Sequence, residues 1–109
     1  NVKYAFRKSR FPLYFLTYEV KETRDGPKRI QFIFNERRKL INIDYFFLMG
    51  TNEFDLALAM KTAEMIIKGK LSRYYIGWRK GNTGVGFYDD EKVKTWKINF
   101  WTLDKNLLD

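Results

Sequence analysis

The sequence predicts an α+β fold in which an antiparallel curved sheet, or a partly open barrel, of about six strands packs on one helix in the order β-β-β-α-β-β-β. Apolar side chains alternate with polar ones along most of the chain, which is typical of strands with one buried face. One segment instead has apolar residues at three- and four-residue spacing, which indicates a single helix. The connections between these segments are short, and short connections favour antiparallel pairing.

The first half of the chain predicts three strands separated by polar turns. In residues 13–20, the side chains of Tyr14, Leu16 and Tyr18 fall on one face, which is entirely apolar. Gly26 and Pro27 favour a turn at residues 24–27, because glycine tolerates a positive φ and proline fixes φ. The same alternation predicts strands at residues 28–34 and 39–48, joined by a polar turn at residues 35–38.

The spacing of apolar residues predicts the helix at residues 52–68. Its apolar stripe consists of Leu56, Ala59, Met60, Ala63 and Ile67. We expect Thr51 or Asn52 to cap its N-terminus and Gly69 to end it, since these residue types are favoured at those positions.

After the helix, alternation predicts three more strands, at residues 73–80, 85–88 and 94–101, with turns at residues 81–84 and 89–91. On the last strand, Lys97, Asn99 and Trp101 are expected to face away from the core. No linker composition interrupts the sequence, so we expect one domain over residues 1–109. Residues 1–11 are expected to form a basic N-terminal arm or an edge strand.

The composition argues against catalysis. The chain has no histidine and no cysteine, which removes the usual general base, the thiol nucleophile and the usual zinc ligands. The acidic residues 89–91 share one turn, whereas a nuclease metal site needs carboxylates that converge from separate elements. We therefore expect no enzyme, no cofactor and no metal.

The sequence also gives expectations about localisation. The longest apolar run covers residues 45–49, far short of the ~20 residues that cross a bilayer. The first residues do not have the pattern of a signal peptide. A soluble intracellular protein without a membrane partner is expected.

Charge and aromatic content point to a polyanionic partner. Lysine and arginine number 21 against 13 aspartates and glutamates, and 18% of the residues are aromatic. Residues 1–40 hold eleven basic and four acidic side chains, a balance of +7 out of the total of +8. Cations attract phosphates and aromatic rings stack on bases, so single-stranded nucleic acid is the predicted ligand. The same charges also serve solubility alone in many small proteins.

The first candidate surface is the outer face of the predicted strand at residues 73–80. There Arg73, Tyr75 and Arg79 are expected to point to one side, with Lys80 beside a loop whose amides could contact phosphate. Lys97 and Trp101 would extend this surface if the last strand pairs nearby. The alternative is that Tyr75 and Trp101 pack under the helix or at a dimer contact.

Two further basic segments are candidate phosphate contacts. The N-terminal segment at residues 3–11 combines three aromatic side chains with four cations, which are Lys3, Arg7, Lys8 and Arg10. The predicted turn near residue 37 carries Arg37, Arg38 and Lys39. The N-terminal segment could instead be an edge strand that its charges protect against aggregation, and the Arg37–Lys39 cluster could be a solvated turn.

The predicted strand order and the basicity resemble the sheet-plus-helix units of two single-strand-binding folds, those of positive cofactor four and of the Whirly proteins. We expect a non-enzymatic binder of single-stranded DNA or RNA with little sequence specificity. The alternative is a protein-interaction module or small inhibitor that docks its basic aromatic face on an acidic partner protein. One helix leaves much of the apolar sheet to cover, which favours a homodimer.

Overall fold

A curved, open, seven-stranded antiparallel sheet carries a helix on one face in the computed structural model, which describes residues 13–21, 26–49 and 53–108. The elements in chain order are β1 (Tyr14–Glu19), β2 (Arg29–Phe34), β3 (Leu40–Leu48), α1 (Leu56–Ile67), β4 (Ser72–Arg73), β5 (Trp78–Lys80), β6 (Thr83–Asp90), β7 (Thr95–Thr102) and α2 (Lys105–Leu108). Their order across the sheet is β1-β2-β3-β7-β6-β5-β4, so β3 and β7 lie side by side near its centre. The predicted α+β class is confirmed. The predicted arm or edge strand at residues 1–11 lies outside the described residues.

The prediction of a single strand at residues 73–80 is wrong. Two short strands, β4 and β5, replace it, and the chain turns back between them at residues 74–77. Gly77 makes this turn with φ of 82°, and the Tyr74 N–H donates a 3.0 Å hydrogen bond to the Gly77 carbonyl oxygen. A Cβ at Gly77 would lie 2.5 Å from the Val85 carbonyl oxygen, so only glycine fits there.

The strand β6 is longer than the sequence predicted. It starts at Thr83 and ends at Asp90, so the turn before it shortens to residues 81–82 and the turn after it moves to residues 91–94. Only Gly81 and Asn82 separate β5 from β6, and Gly81 has φ of 58°, as tight hairpins require.

The core lies between α1 and the central strands. Val85, Ile98 and Phe100 belong to it, and Val85 and Ile98 are fully buried. On the helix side, Ala59 and Ala63 are completely buried, and their small side chains let α1 approach the sheet closely. Burying each Val or Ile side chain stabilises the fold by ~1.5–3 kcal/mol.

The helix α1 starts later than predicted, at Leu56, and its N-cap is Asp55 rather than Thr51 or Asn52. The Asp55 carboxylate accepts hydrogen bonds from the backbone N–H groups of Ala57 at 3.0 Å and Leu58 at 3.3 Å. At the other end Lys68, not Gly69, adopts the left-handed conformation, with φ of 56°.

The turn between β2 and β3 is tied to α2. Asn35 is buried, its Oδ1 accepts from the backbone N–H groups of Arg37 and Lys39, and its Nδ2 donates to the Leu107 carbonyl oxygen at 2.8 Å. The Arg37 guanidinium also donates to the Asn106 carbonyl oxygen at 2.5 Å. This turn is therefore a structural clamp on the C-terminal helix.

Candidate nucleic-acid interface

The sheet face opposite α1, here called the open face, carries most of the side chains that could contact a ligand. Strand alternation turns Ile98 and Phe100 of β7 towards the helix, and their chain neighbours therefore point the other way. On the central strands β3 and β7 the open face consists of Asn42, Asp44, Phe46, Lys97, Asn99 and Trp101. The prediction that Lys97, Asn99 and Trp101 face away from the core is confirmed.

Two aromatic side chains lie across the glycines of β6 and form what we call the aromatic platform, Trp101 and Tyr88. Trp101 is the cross-strand partner of Gly84, and a Cβ added to Gly84 would collide with the indole atoms Cε2, Cζ2 and Nε1. Over Gly86, the nearest atoms of Trp101 and Tyr88 are both 3.2 Å from where a Cβ would be. Both glycines are buried. The sequence Gly-Val-Gly therefore makes room for two rings that lie down on the sheet.

Lys97 lies beside this platform. Its Nζ is 5.2 Å from the centroid of the Tyr88 ring and 5.8 Å from that of Phe46. Such cation–π contacts are worth ~0.5–1 kcal/mol at exposed sites. The guanidinium of Arg29 lies 5.5 Å from the centroid of the Phe46 ring, and its Nε is 3.0 Å from Glu19 Oε1. A row of alternating cations and rings thus crosses neighbouring strands of the sheet.

A buried carboxylate holds this row in place. Asp44 is 5% exposed, and its Oδ1 accepts hydrogen bonds from the side-chain amides of Asn99 at 2.5 Å and Asn42 at 3.2 Å. Its Oδ2 is 3.7 Å from Lys97 Nζ. No buried side-chain nitrogen or oxygen within the described residues lacks a partner, so the network is complete there. Asp44 therefore holds the Lys97 ammonium beside the platform.

The second part of the candidate site is the hairpin of β4 and β5 with its turn, here called the basic hairpin. Arg79 lies on the open face next to Gly84, with its guanidinium 5.3 Å from the centroid of the Tyr74 ring. Arg73 lies on the helix side, with its guanidinium 4.9 Å from the centroid of the Trp78 ring. Tyr75 is in the turn and 83% exposed. The predicted grouping of Arg73, Tyr75 and Arg79 on one strand face is therefore wrong, because the chain reverses between them.

The phenol of Tyr74 has a shifted pKa. Desolvation and a side-chain hydrogen bond with Tyr75 raise the pKa of Tyr74 above its ordinary value, while the Arg79 guanidinium lowers it to a smaller extent. The raised pKa favours the uncharged phenol beneath the Arg79 guanidinium.

The basic hairpin lies within a stretch of sequence that has no acidic residue. Between Glu64 and Asp89 the sequence has no acidic residue and five cations, which are Lys68, Lys70, Arg73, Arg79 and Lys80. Among the described residues only Lys70 of these five forms an ion pair, a 3.9 Å contact with Glu64. The Lys80 side chain lies against Gly69 and so joins β5 to the end of α1.

The structure brings together only some of the predicted site residues. Arg79, Trp101 and Lys97 share the open face, whereas Lys80 and Arg73 point to the helix side. The cluster Arg37, Arg38 and Lys39 lies at the α2 clamp, where the Arg38 guanidinium is 5.3 Å from the Tyr14 ring centroid. The N-terminal cations Lys3, Arg7, Lys8 and Arg10 lie outside the described residues.

Sequence reasoning missed Tyr88, Phe46 and Arg29. Two signals could have indicated this region: the spaced glycines 84 and 86, which only large neighbouring rings would explain, and the long stretch without acidic residues.

Comparisons with protein-family models, with curated proteins and with solved structures found no significant match. In the part of the chain that the structure describes, no three acidic side chains gather as a cation site would require. None of the helices in that part has the length and apolar character needed to cross a bilayer.

Proposed function

We propose that this protein binds single-stranded DNA or RNA, without catalysis and with little sequence specificity, through the aromatic platform and the basic hairpin. The observation that carries the proposal is the joint placement of two sheet-bound rings and the cations Lys97 and Arg79 on one face, next to a stretch that holds five cations and no acidic residue.

The basic hairpin and the aromatic platform would contribute differently to the free energy of binding. Cations attract the phosphates of any strand, and their contribution depends on salt concentration. Rings that lie on a sheet can stack with unpaired bases, and each such contact is worth ~1–3 kcal/mol. Every base has a π face, so this combination tolerates many sequences. A duplex hides its base faces and would use only the charges, which favours a single strand as the ligand.

The proposal contains no catalytic step, because the chain has neither histidine nor cysteine to act as general base or thiol nucleophile. Incubation of the protein with labelled single strands and Mg²⁺ or Mn²⁺ should leave the strands intact. Cleavage that disappears in Asp90→Asn would contradict a pure binding function.

The main test is binding of fluorescent single-stranded DNA, single-stranded RNA and duplex DNA over a range of salt concentrations. The logarithm of affinity for single strands should fall linearly with the logarithm of salt concentration, with a slope of about −0.7 for each neutralised phosphate. Absence of single-strand binding at about 50 mM salt, where charge contacts are strong, would refute the proposal and favour an acidic protein partner.

Variants separate stacking from charge. Tyr88 is 51% exposed, so Tyr88→Ala should leave the fold intact and weaken single-strand binding by ~1–3 kcal/mol without changing the salt slope. Replacing Arg79, the cation of the basic hairpin that lies on the open face, by Ala should instead flatten the slope by about 0.7 for the phosphate that is no longer neutralised. The matched control is Lys92→Ala, which removes the same charge away from the basic hairpin and should preserve the slope.

A further inference from the structure

The basic hairpin ends in an exposed apolar tip. Tyr75 is 83% exposed and Ile76 is 57% exposed, and both lie in the turn between β4 and β5. The flanking strands carry Arg73 and Arg79, one on each side of the sheet. Among the large apolar side chains of the described residues, Tyr75 is the most exposed.

The tip is held in one conformation by contacts on both sides of the hairpin. The left-handed backbone of Gly77 packs against the Val85 carbonyl, which anchors the turn to β6. The rings of Tyr74 and Tyr75 have centroids 4.6 Å apart, and Arg79 lies over Tyr74. A preorganised tip loses little conformational entropy when it binds.

We propose that this tip stacks on the terminal base pair where a nucleic-acid duplex meets a single strand, an inference that rests on the proposed function. The exposed end of a duplex is a flat apolar surface bordered by two phosphate backbones. The tip has the complementary arrangement, with an apolar centre of Tyr75 and Ile76 between two arginines.

The path of the single strand follows from the same arrangement. Arg79 reaches the open face beside Gly84, whose cross-strand partner is Trp101 of the aromatic platform. A strand that leaves the duplex at the tip would therefore pass directly onto the platform. The protein would bind junctions better than either a single strand or a blunt duplex.

An anionic membrane surface is the main competing partner, because it also combines phosphates with an apolar layer. Stable interfacial binding needs a broad apolar face, usually that of an amphipathic helix or a lipid anchor. A two-residue tip is too small for that, whereas it matches the end of a base pair. The observations therefore favour the duplex end.

The experiment compares the affinity of the full chain for a labelled single strand and for the same strand annealed to a shorter complement. The junction should bind at least about fivefold more tightly, the factor expected from one weak stacking contact. Replacing Tyr75 and Ile76 together by Ser should remove this preference, so that the variant binds the junction and the single strand with affinities within about twofold of each other, because the stacking contact with the terminal base pair is lost. The matched control is Val93→Ser, which removes a 61% exposed apolar side chain from the turn between β6 and β7 and should keep the preference.

A fluorescent 2-aminopurine at the terminal base pair gives a second readout, since its emission should change with the wild type and not with the Tyr75/Ile76 variant. Equal affinity of the wild type for junction and single strand, or a preference that survives in the double variant, would overturn the inference while the proposed function stands. Loss of binding to phosphatidylserine vesicles in the double variant, with junction binding unchanged, would overturn it in favour of a membrane. Failure to bind any nucleic acid would refute the proposed function itself.

Discussion

The contact between Gly84 and Trp101 should behave as a coupled pair in the free energy of unfolding. A Cβ at residue 84 enters the space of the indole ring, so Gly84→Ala must displace that ring. Overpacking of this kind costs ~1–3 kcal/mol. Alanine in the middle of a strand stabilises the fold by ~0.5–1 kcal/mol relative to glycine. The net destabilisation expected for Gly84→Ala in the wild type is therefore about 1 kcal/mol.

The sign should reverse when the indole is absent. Trp101 is half-buried, so Trp101→Ala should cost about 2 kcal/mol, roughly half the value for a fully buried aromatic side chain. In that background nothing opposes the new methyl group, and Gly84→Ala should stabilise by ~0.5–1 kcal/mol. The double-mutant cycle then gives a coupling energy of about 2 kcal/mol.

Urea denaturation followed by far-ultraviolet circular dichroism measures all four free energies. Gly86→Ala serves as a comparison with a weaker clash. Its Cβ would lie 3.2 Å from the same indole, so a small movement of the ring can accommodate it. Its coupling to Trp101→Ala should be clearly smaller. Additive effects of Gly84→Ala and Trp101→Ala would refute the position of the indole on β6, and with it the aromatic platform.

Three further predictions concern single groups. Burial raises the pKa of the Tyr45 phenol above its ordinary value of 10.0. The stability that this phenol contributes is therefore complete below pH 10.0 and is lost as the pH rises through the folded-state pKa. The denaturation midpoint of Tyr45→Phe should fall less on alkaline titration than that of the wild type, and parallel curves would contradict this. Asp55→Ala should lower the free energy of unfolding by ~1 kcal/mol in thermal unfolding, because the N-cap acceptor is lost. Asp55→Ser should retain most of the wild-type stability, because serine also accepts at an N-cap. Equal losses in the two variants would exclude a capping role. Asn35→Ala should cost ~1 kcal/mol in chemical unfolding and shift the amide resonances of α2, because three part-buried hydrogen bonds of the clamp are lost. Unchanged α2 resonances would argue against the clamp.

The sequence was sufficient for the fold class and for most strands because period-two alternation is strong in them. The alternation in residues 13–20, 28–34 and 39–48 corresponds closely to β1, β2 and β3. It also placed Lys97 and Trp101 correctly on the outer face of β7. Where one face of a strand is buried, a shift of one residue would expose the core, so the pattern determines the face.

The hairpin of β4 and β5 could not be predicted in the same way. Tyr74, Ile76 and Trp78 alternate as a strand would, and the turn lies inside that pattern. What bends the chain is the close approach of Gly77 to the Val85 carbonyl, a tertiary contact with a strand farther along the chain. The N-cap error has a similar cause, because several residues before α1 are acceptable caps and only the backbone shows that Asp55 acts.

The surroundings of the cations, rather than their number, determine where a polyanion would bind. By composition the excess of positive charge lies in residues 1–40. Partners alone do not distinguish the described arginines of the two halves. Arg29 pairs with Glu19, Arg37 donates to the Asn106 carbonyl and Arg38 lies over the Tyr14 ring. Arg79 likewise donates to the Gly81 carbonyl and lies over the Tyr74 ring. Residues 41–109 are nearly neutral in sum, with ten basic and nine acidic side chains, and three of the acidic ones lie together at 89–91. Those carboxylates lie at the far end of β6 and in its following turn, away from Gly84 and Arg79, so they leave the hairpin positive. Within the part of the chain that the structure describes, a phosphate backbone would therefore meet little repulsion from carboxylates at the basic hairpin, although residues 1–40 hold most of the excess charge.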